Sequence, residues 1–133
     1  MAITFIDTNI FMYAIGASHP HKAPSTHLVQ KILAQQVEAA INTEVLQEVL
    51  YRYTAIGKPG IGYQLFDTLI ATFGEIWPVD KEDAIAARKL QERYAIKPRD
   101  AIHAATMRHN GVTTLYSYDT DFDKIPGFKR IVP

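Results

Sequence analysis

Short β-type runs alternate with longer helical stretches along this chain, and that alternation restricts its fold more than any other feature. Runs typical of strands occupy residues 3–6, 38–41, 75–79, 112–117 and 128–132. Strands joined through helices pair in parallel, because a parallel connection needs a crossover of a dozen or more residues. Parallel sheets are covered on both faces. We therefore predict a single-domain α/β fold, a three-layer α/β/α sandwich with a mostly parallel central sheet.

The helical stretches are predicted from apolar residues that recur on one face and from helix start and stop signals. Residues 16–24, which contain glycine, serine and two prolines, are predicted to form a loop, as are residues 118–127. The predicted helices cover residues 10–15, 25–36, 43–53, 63–73, 81–94 and 99–110.

Composition excludes several functional classes. The 133 residues contain no cysteine, which rules out disulfides, thiolate zinc sites and a cysteine nucleophile. Lysine plus arginine (14) balance aspartate plus glutamate (14), so the chain does not coat nucleic acid through bulk charge, although a local basic patch remains compatible with this balance. The amino terminus lacks the basic region of a signal peptide, and no apolar run approaches the roughly 20 residues that span a bilayer. We expect a soluble cytoplasmic protein.

Acidic residues fall where the predicted sheet would present a ligand. Ligands of open parallel sheets bind outside the carboxyl ends of the strands. Asp7 directly follows the first predicted strand, Asp119, Asp121 and Asp123 follow the fourth, and Asp100 begins a helix. Each acid alone has a plainer explanation, such as helix capping or a loop hydrogen bond. Together they indicate a cation site, and an all-oxygen ligand set suits Mg²⁺ or Mn²⁺.

Two glutamates on the predicted helix 43–53 are candidates for the same site. At about 100° per residue, Glu44 lies nearly opposite the centre of the apolar face, whereas Glu48 lies nearer its flank. A side chain at the edge of a packed face is held better than a solvated one, so we prefer Glu48. The apolar face consists of Val45, Leu46, Val49, Leu50 and Tyr53.

Four segments carry these acids, in order, along nearly the whole chain. They are residues 5–11 (FIDTNIF), 42–49 (NTEVLQEV), 98–105 (PRDAIHAA) and 115–123 (LYSYDTDFD). Each motif alone is weak, but the four in this order and at these separations resemble the PIN-domain family, and in particular its VapC-type toxin ribonucleases.

That resemblance implies a PIN-like nuclease domain over residues 1–133, with Asp7, Glu48, Asp100 and Asp119 as the catalytic, metal-binding acids. Asp7 and Asp100 would be the most direct ligands, and Asp121 is a further metal ligand that ranks after Asp119. The implied activity is a Mg²⁺- or Mn²⁺-dependent endoribonuclease, the toxin of a type II toxin–antitoxin pair. The implied partners are an RNA substrate (with tRNA or another structured RNA as candidates), a second copy in a homodimer and a small antitoxin, with no membrane.

Other polar residues near these motifs are expected to assist. Thr8 and Asn9 would support Asp7, although turn formation is their plainer role. Lys97 and Arg99 lie just before Asp100 within a basic stretch and are expected to contact the RNA backbone. His103 either packs in the core or lies beside the site.

The remaining motifs are weaker. His19-Pro20-His21 is interpreted as a solvated loop and not as a metal site. Tyr13, Tyr51 and Tyr63 are suited to base stacking or a protein interface, whereas core packing is the plainer role of Phe66. The acids of residues 119–123 do not form an EF-hand, because Lys124 and Arg130 replace the required glycine and glutamate.

Two rival functions follow from the same acids. One is a non-catalytic PIN-like or receiver-like module that binds metal, RNA or protein without turnover. The other is a phosphatase of the aspartyl-phosphate type, which would require a second aspartate two residues after Asp7. Asn9 occupies that position, so the phosphatase is disfavoured.

Overall fold

Five parallel strands form the central sheet of this structure, a computed structural model that describes residues 2–133. Their spatial order is β3-β2-β1-β4-β5, and every neighbouring pair is parallel. The predicted α/β fold with a parallel sheet is therefore confirmed. The strands are β1 (Thr4–Ile6), β2 (Ala39–Asn42), β3 (Ile76–Trp77), β4 (Thr114–Tyr116) and β5 (Lys129–Ile131).

Six α-helices flank the sheet and pack in sequential pairs, α1 with α2, α3 with α4 and α5 with α6. None within residues 2–133 combines the length and the apolar character that crossing a bilayer requires. The helices are α1 (Thr8–Ile15), α2 (Lys22–Leu33), α3 (Thr43–Ala55), α4 (Pro59–Thr72), α5 (Lys81–Tyr94) and α6 (Pro98–His109).

The two predicted loops are partly helical. Helix α2 starts at Lys22, inside the predicted loop 16–24, because Pro24 lies in its first turn, where a backbone N–H has no partner within the helix. The predicted loop 118–127 contains a 3₁₀ helix (Thr120–Lys124), and the Asp119 side chain caps it by accepting a hydrogen bond from the Asp121 N–H at 3.0 Å.

The central strand β1 places the site. Phe5 and Ile6 are fully buried, as expected for a strand covered on both faces. Both neighbours of β1 run parallel to it, so the residues that follow β1, β2 and β4 emerge at one edge of the sheet. Those residues begin with Asp7, Thr43 and Ser117.

Candidate acidic site

Asp7 serves as a helix cap and as a buried acid at once. One carboxylate oxygen, Oδ1, accepts a hydrogen bond from the Thr8 N–H at 2.7 Å, which caps α1. The other, Oδ2, accepts from the Ser117 hydroxyl at 2.6 Å and from the Asn9 amide at 3.3 Å. The cap therefore occupies one carboxylate oxygen, and the other is held by neighbouring side chains.

Glu48 lies beside Asp7 and is oriented by His103. The Nε2 atom of His103 is 2.6 Å from Glu48 Oε1 and 3.6 Å from Asp7 Oδ1, and all three side chains are buried. Glu44 is only half-buried, in agreement with the preference for Glu48. The core and site interpretations of His103 both hold, since it is fully buried and touches two acids.

Asn42 selects the tautomer of that histidine in its neutral form. It caps α3 by accepting the Val45 N–H at 3.0 Å, which turns its amide nitrogen toward Nδ1 of His103, 3.0 Å away. Because the amide nitrogen can only donate, Nδ1 accepts. The ring proton therefore lies on Nε2, from which His103 donates to Glu48.

A second group of acids surrounds the ammonium of Lys97. Its Nζ atom lies 2.8 Å from Asp119, 3.3 Å from Asp121 and 3.6 Å from Asp100. The Lys97 backbone N–H also donates to Asp121 at 3.0 Å. Lys97 thus neutralises part of the acidic site from within, in addition to any contact with RNA. Arg99 lies at the rim, with Nε 3.7 Å from Glu48.

The charge of Lys97 is shared unevenly among the acids. Burial raises the pKa of Asp121, but the backbone N–H and ammonium of Lys97 outweigh it and lower that pKa to about 2. By contrast, burial and the nearby Asp119 and Asp7 carboxylates raise the pKa of Asp100 to about 8. Burial also raises the pKa of Asp7, in spite of the nearby His103. Asp7 and Asp100 are therefore acids whose burial outweighs the neighbouring cations.

The acid side chains fit a hard divalent cation. Among the described residues, the buried Oδ2 atom of Asp100 has no hydrogen-bond partner. Carboxylates this crowded repel each other unless a cation lies between them, and carboxylate oxygens are the ligands that Mg²⁺ and Mn²⁺ prefer. The structure offers the carboxylate oxygens in two groups, Asp7 with Glu48 beside the His103 nitrogen, and Asp100 with Asp119 and Asp121.

The structure brings together the acids that the sequence selected, with one exception that had no assigned role. Asp123 points away and pairs with Arg130, at 3.0 Å for each of two contacts. Asn9 bridges Asp7 and Ser117, and the Thr8 backbone holds Asp7, as supporting residues would. The metal-binding and catalytic roles of these residues stay predictions.

Ser117 and Asn42 were missed by the sequence analysis. Asn42 is the last residue of β2 and Ser117 directly follows β4, and this position at the site edge is the signal that could have found them. Their types gave no further hint, because serine and asparagine are common at strand ends and helix caps.

Another group of titratable side chains has a structural explanation. Asp80 and Asp83 form a capping box at the start of α5, and Asp83 also lies 3.0 Å from Nδ1 of His109. Both carboxylates are thus used by the helix terminus and by one histidine, and this group needs no cation.

A single α/β domain with carboxylates gathered at the carboxyl edge of a parallel sheet is the class that this fold and site define. The family profile of the PIN domain matches residues 4–127. The VapC ribonuclease Mb1869c of Mycobacterium bovis is 39% identical over 127 residues, covering 95% of this chain and 97% of that protein. Ribonuclease VapC23 of Mycobacterium tuberculosis is 34% identical, covering 86% and 91%. The chain therefore belongs to the PIN-domain family, within its VapC group.

Solved structures share the fold. VapC20 of Mycobacterium tuberculosis, described as a sarcin–ricin loop cleaving toxin, aligns with a TM-score of 0.79 and 18% identity over 99% of this chain and all (100%) of that one. VapBC2 of Rickettsia felis, solved bound to a promoter DNA fragment, aligns with a TM-score of 0.72 and 21% identity over 98% of each chain. PIN nucleases generally use a divalent metal, and the buried acids described above are compatible with one.

Proposed function

We propose that this protein is a Mg²⁺- or Mn²⁺-dependent endoribonuclease, with residues 1–133 as one nuclease domain. The observation that carries the proposal is that the carboxylates of Asp7 and Asp100 are buried at the edge of the sheet where ligands bind. Relatives that share more than a third of their residues with this chain are named ribonucleases, which supports RNA as the substrate.

Asp7, Glu48, Asp100 and Asp119 would hold the metal, with Asp121 as an additional ligand. When bound, a divalent cation supplies an activated water and stabilises negative charge on a phosphodiester. Two of these acids are already oriented by the chain itself. Ser117, Asn9 and the Thr8 N–H fix Asp7, and His103 fixes Glu48.

Lys97 and Arg99 are the proposed contacts to the RNA backbone. Their side chains are 45% and 38% exposed, so both reach solvent while their charged groups touch the acids. A cation at the rim of an acidic site reduces the repulsion that the site would otherwise exert on phosphates.

We further propose that the protein is the toxin of a toxin–antitoxin pair, a homodimer that a small antitoxin inhibits. Similar folds have been solved as VapBC assemblies, including one from Salmonella typhimurium bound to DNA. Helices α3 and α4 and the turn between them expose Tyr51, Tyr63 and Ile56, each at least 59% accessible, and such apolar side chains suit a protein interface.

Metal removal tests the proposed activity. Purified protein that has been treated with a chelator is expected to lose RNA cleavage, because the acids alone cannot activate water at this site. Added Mg²⁺ or Mn²⁺ should restore cleavage, followed by gel analysis of labelled RNA. If the ions bind, as seen by calorimetry, but no RNA is cut even after the protein has been freed from any partner, the non-catalytic module is the better description.

The two glutamates of α3 provide a matched test of the site. Glu48→Gln is expected to lower kcat about 100-fold, because it removes a charged ligand and alters the hydrogen bond from His103. Glu44→Gln, four residues earlier on the same helix, should lower kcat by a factor at least ten times smaller. Equal losses in steady-state cleavage assays would mean that the buried position of Glu48 has no special role.

A further inference from the structure

Four aromatic rings form a cluster beside the acidic site. Tyr13 of α1 lies at centroid distances of 4.7 Å from His19, 5.0 Å from His21 and 5.2 Å from Tyr118. The His21 ring stacks on Tyr118 at 3.9 Å, with 13° between the ring planes. We call Tyr13, His19, His21 and Tyr118 the aromatic cluster. The loop predicted to be merely solvated therefore carries an organised set of rings.

Hydrogen bonds fix the cluster in place. The Tyr118 hydroxyl donates to the His21 carbonyl at 3.3 Å and lies 2.9 Å from the Ser25 hydroxyl. The His21 N–H donates to Nδ1 of His19 at 3.0 Å. Lys22 closes the loop by donating from Nζ to the Gly16 carbonyl at 2.6 Å. Rings held in this way lose little conformational entropy when a ligand stacks on them.

A cavity of about 370 Å³ opens next to the cluster. Tyr13 and His19 form an aromatic wall, while Asn9 and Arg52 supply a carboxamide and a guanidinium. Arg52 makes no ion pair with any residue in the range 2–133, so its charge is available to a ligand. Aromatic faces combined with a few hydrogen-bonding groups are the means by which proteins bind unstacked nucleobases.

Asn9 connects this cavity to the acids. Its amide nitrogen lies 3.3 Å from Asp7 Oδ2, and its carbonyl oxygen accepts from the Tyr118 N–H at 3.4 Å. Tyr118 itself stands between Ser117, which holds Asp7, and Asp119. When the phosphate of an RNA chain lies at the acids, a neighbouring base of that chain can therefore reach the cavity.

We propose that the aromatic cluster and its cavity form a subsite for one nucleobase adjacent to the scissile phosphate. This inference rests on the proposed ribonuclease function and adds the group that positions the RNA. The ring faces recognise any base by stacking, and the Arg52 guanidinium supplies hydrogen-bond donors for the acceptor atoms of a base. Tyr13 is the central positioning residue because it contacts the other three rings of the cluster.

The test uses short single-stranded RNA oligonucleotides in which one nucleotide at a time is replaced by an abasic ribose. With wild-type protein and Mg²⁺, removal of the base next to the cut should lower kcat/KM about tenfold. Tyr13→Leu should cause the same loss on intact RNA and no further loss on that abasic RNA, because the two changes remove one interaction. Tyr13→Phe should keep the dependence of kcat/KM on that base. His27→Leu, which removes an exposed ring of α2 outside the cluster, should resemble wild type.

Several outcomes would overturn the subsite. One is an unchanged kcat/KM in a folded Tyr13→Leu variant. Another is a further loss of kcat/KM when Tyr13→Leu is assayed with the abasic RNA. A defect confined to antitoxin binding would instead assign the cluster to a protein partner. Equilibrium binding of the same oligonucleotides is measured in parallel. Binding that depends on both the base and Tyr13 supports the subsite even without turnover, and absence of that dependence overturns it. Failure of wild-type cleavage alone contradicts only the proposed function.

Discussion

Asp7→Asn is expected to abolish RNA cleavage, with a fall in kcat of at least about 1000-fold. The substitution removes the negative charge from the acid that ends the central strand. Asparagine caps helices as well as aspartate does, so the start of α1 should be preserved. Steady-state cleavage of labelled RNA in the presence of Mg²⁺ measures the loss, and thermal unfolding checks that the fold survives.

A matched aspartate provides the control for that experiment. Asp67 is exposed on α4, and Asp67→Asn should leave cleavage unchanged. A clean preparation of Asp7→Asn that still cuts RNA at the wild-type rate would remove Asp7 from the proposed catalytic set. If both variants lose activity, the cause is general destabilisation and not the site.

Asp100→Asn is expected to stabilise the metal-free protein at alkaline pH while it destroys cleavage. The pKa of Asp100 is raised from 3.8 to about 8 in the folded protein, so between these pH values the folded state holds a proton that the unfolded state has lost. The free energy of unfolding therefore falls as the pH rises through this window. Asparagine has no charge to bury. At pH 8 the free energy of unfolding of Asp100→Asn should therefore exceed that of wild type by on the order of 2 kcal/mol.

Urea unfolding in the presence of a chelator, at pH 5 and at pH 8, measures this effect. Wild type should lose stability between the two pH values, and Asp100→Asn should lose clearly less. A remaining slope is expected from Asp7, whose pKa is also raised. Added Mg²⁺ should raise the free energy of unfolding at pH 8 more for wild type than for the variant. If the free energy of unfolding changes equally with pH in the two proteins, the Asp100 carboxyl is not the group with the raised pKa.

Local sequence patterns were sufficient for the fold and for placing the selected acids at one edge of the sheet. The strand–helix alternation predicted the parallel sheet, and placing acids after β1 and β4 located the edge where they meet. The wheel of α3 correctly separated buried Glu48 from half-buried Glu44. Each of these inferences uses neighbours within one element or a general rule of parallel sheets, and neither source depends on long-range packing.

The contacts between elements could not be predicted in the same way. Lys97 and Asp121 are separated by 24 positions, and Asp7 and Ser117 by 110, so no local period relates either pair. His103 could be assigned only as a core or a site residue, since its contact with Glu48 depends on how α6 packs against α3. The aromatic cluster likewise requires contact between α1, the loop that follows α1 and the segment that follows β4.

The proposed acid set is drawn from almost the full length of the chain, from Asp7 to Asp119, and this has a consequence for the timing of synthesis. A growing polypeptide that has not yet reached Asp119 cannot assemble the set, and β4 with its neighbour β5 completes the sheet only at the end. Any activity of the acids therefore begins only after synthesis has passed Asp119. Fragments that end before Asp119 would lack the complete acid set.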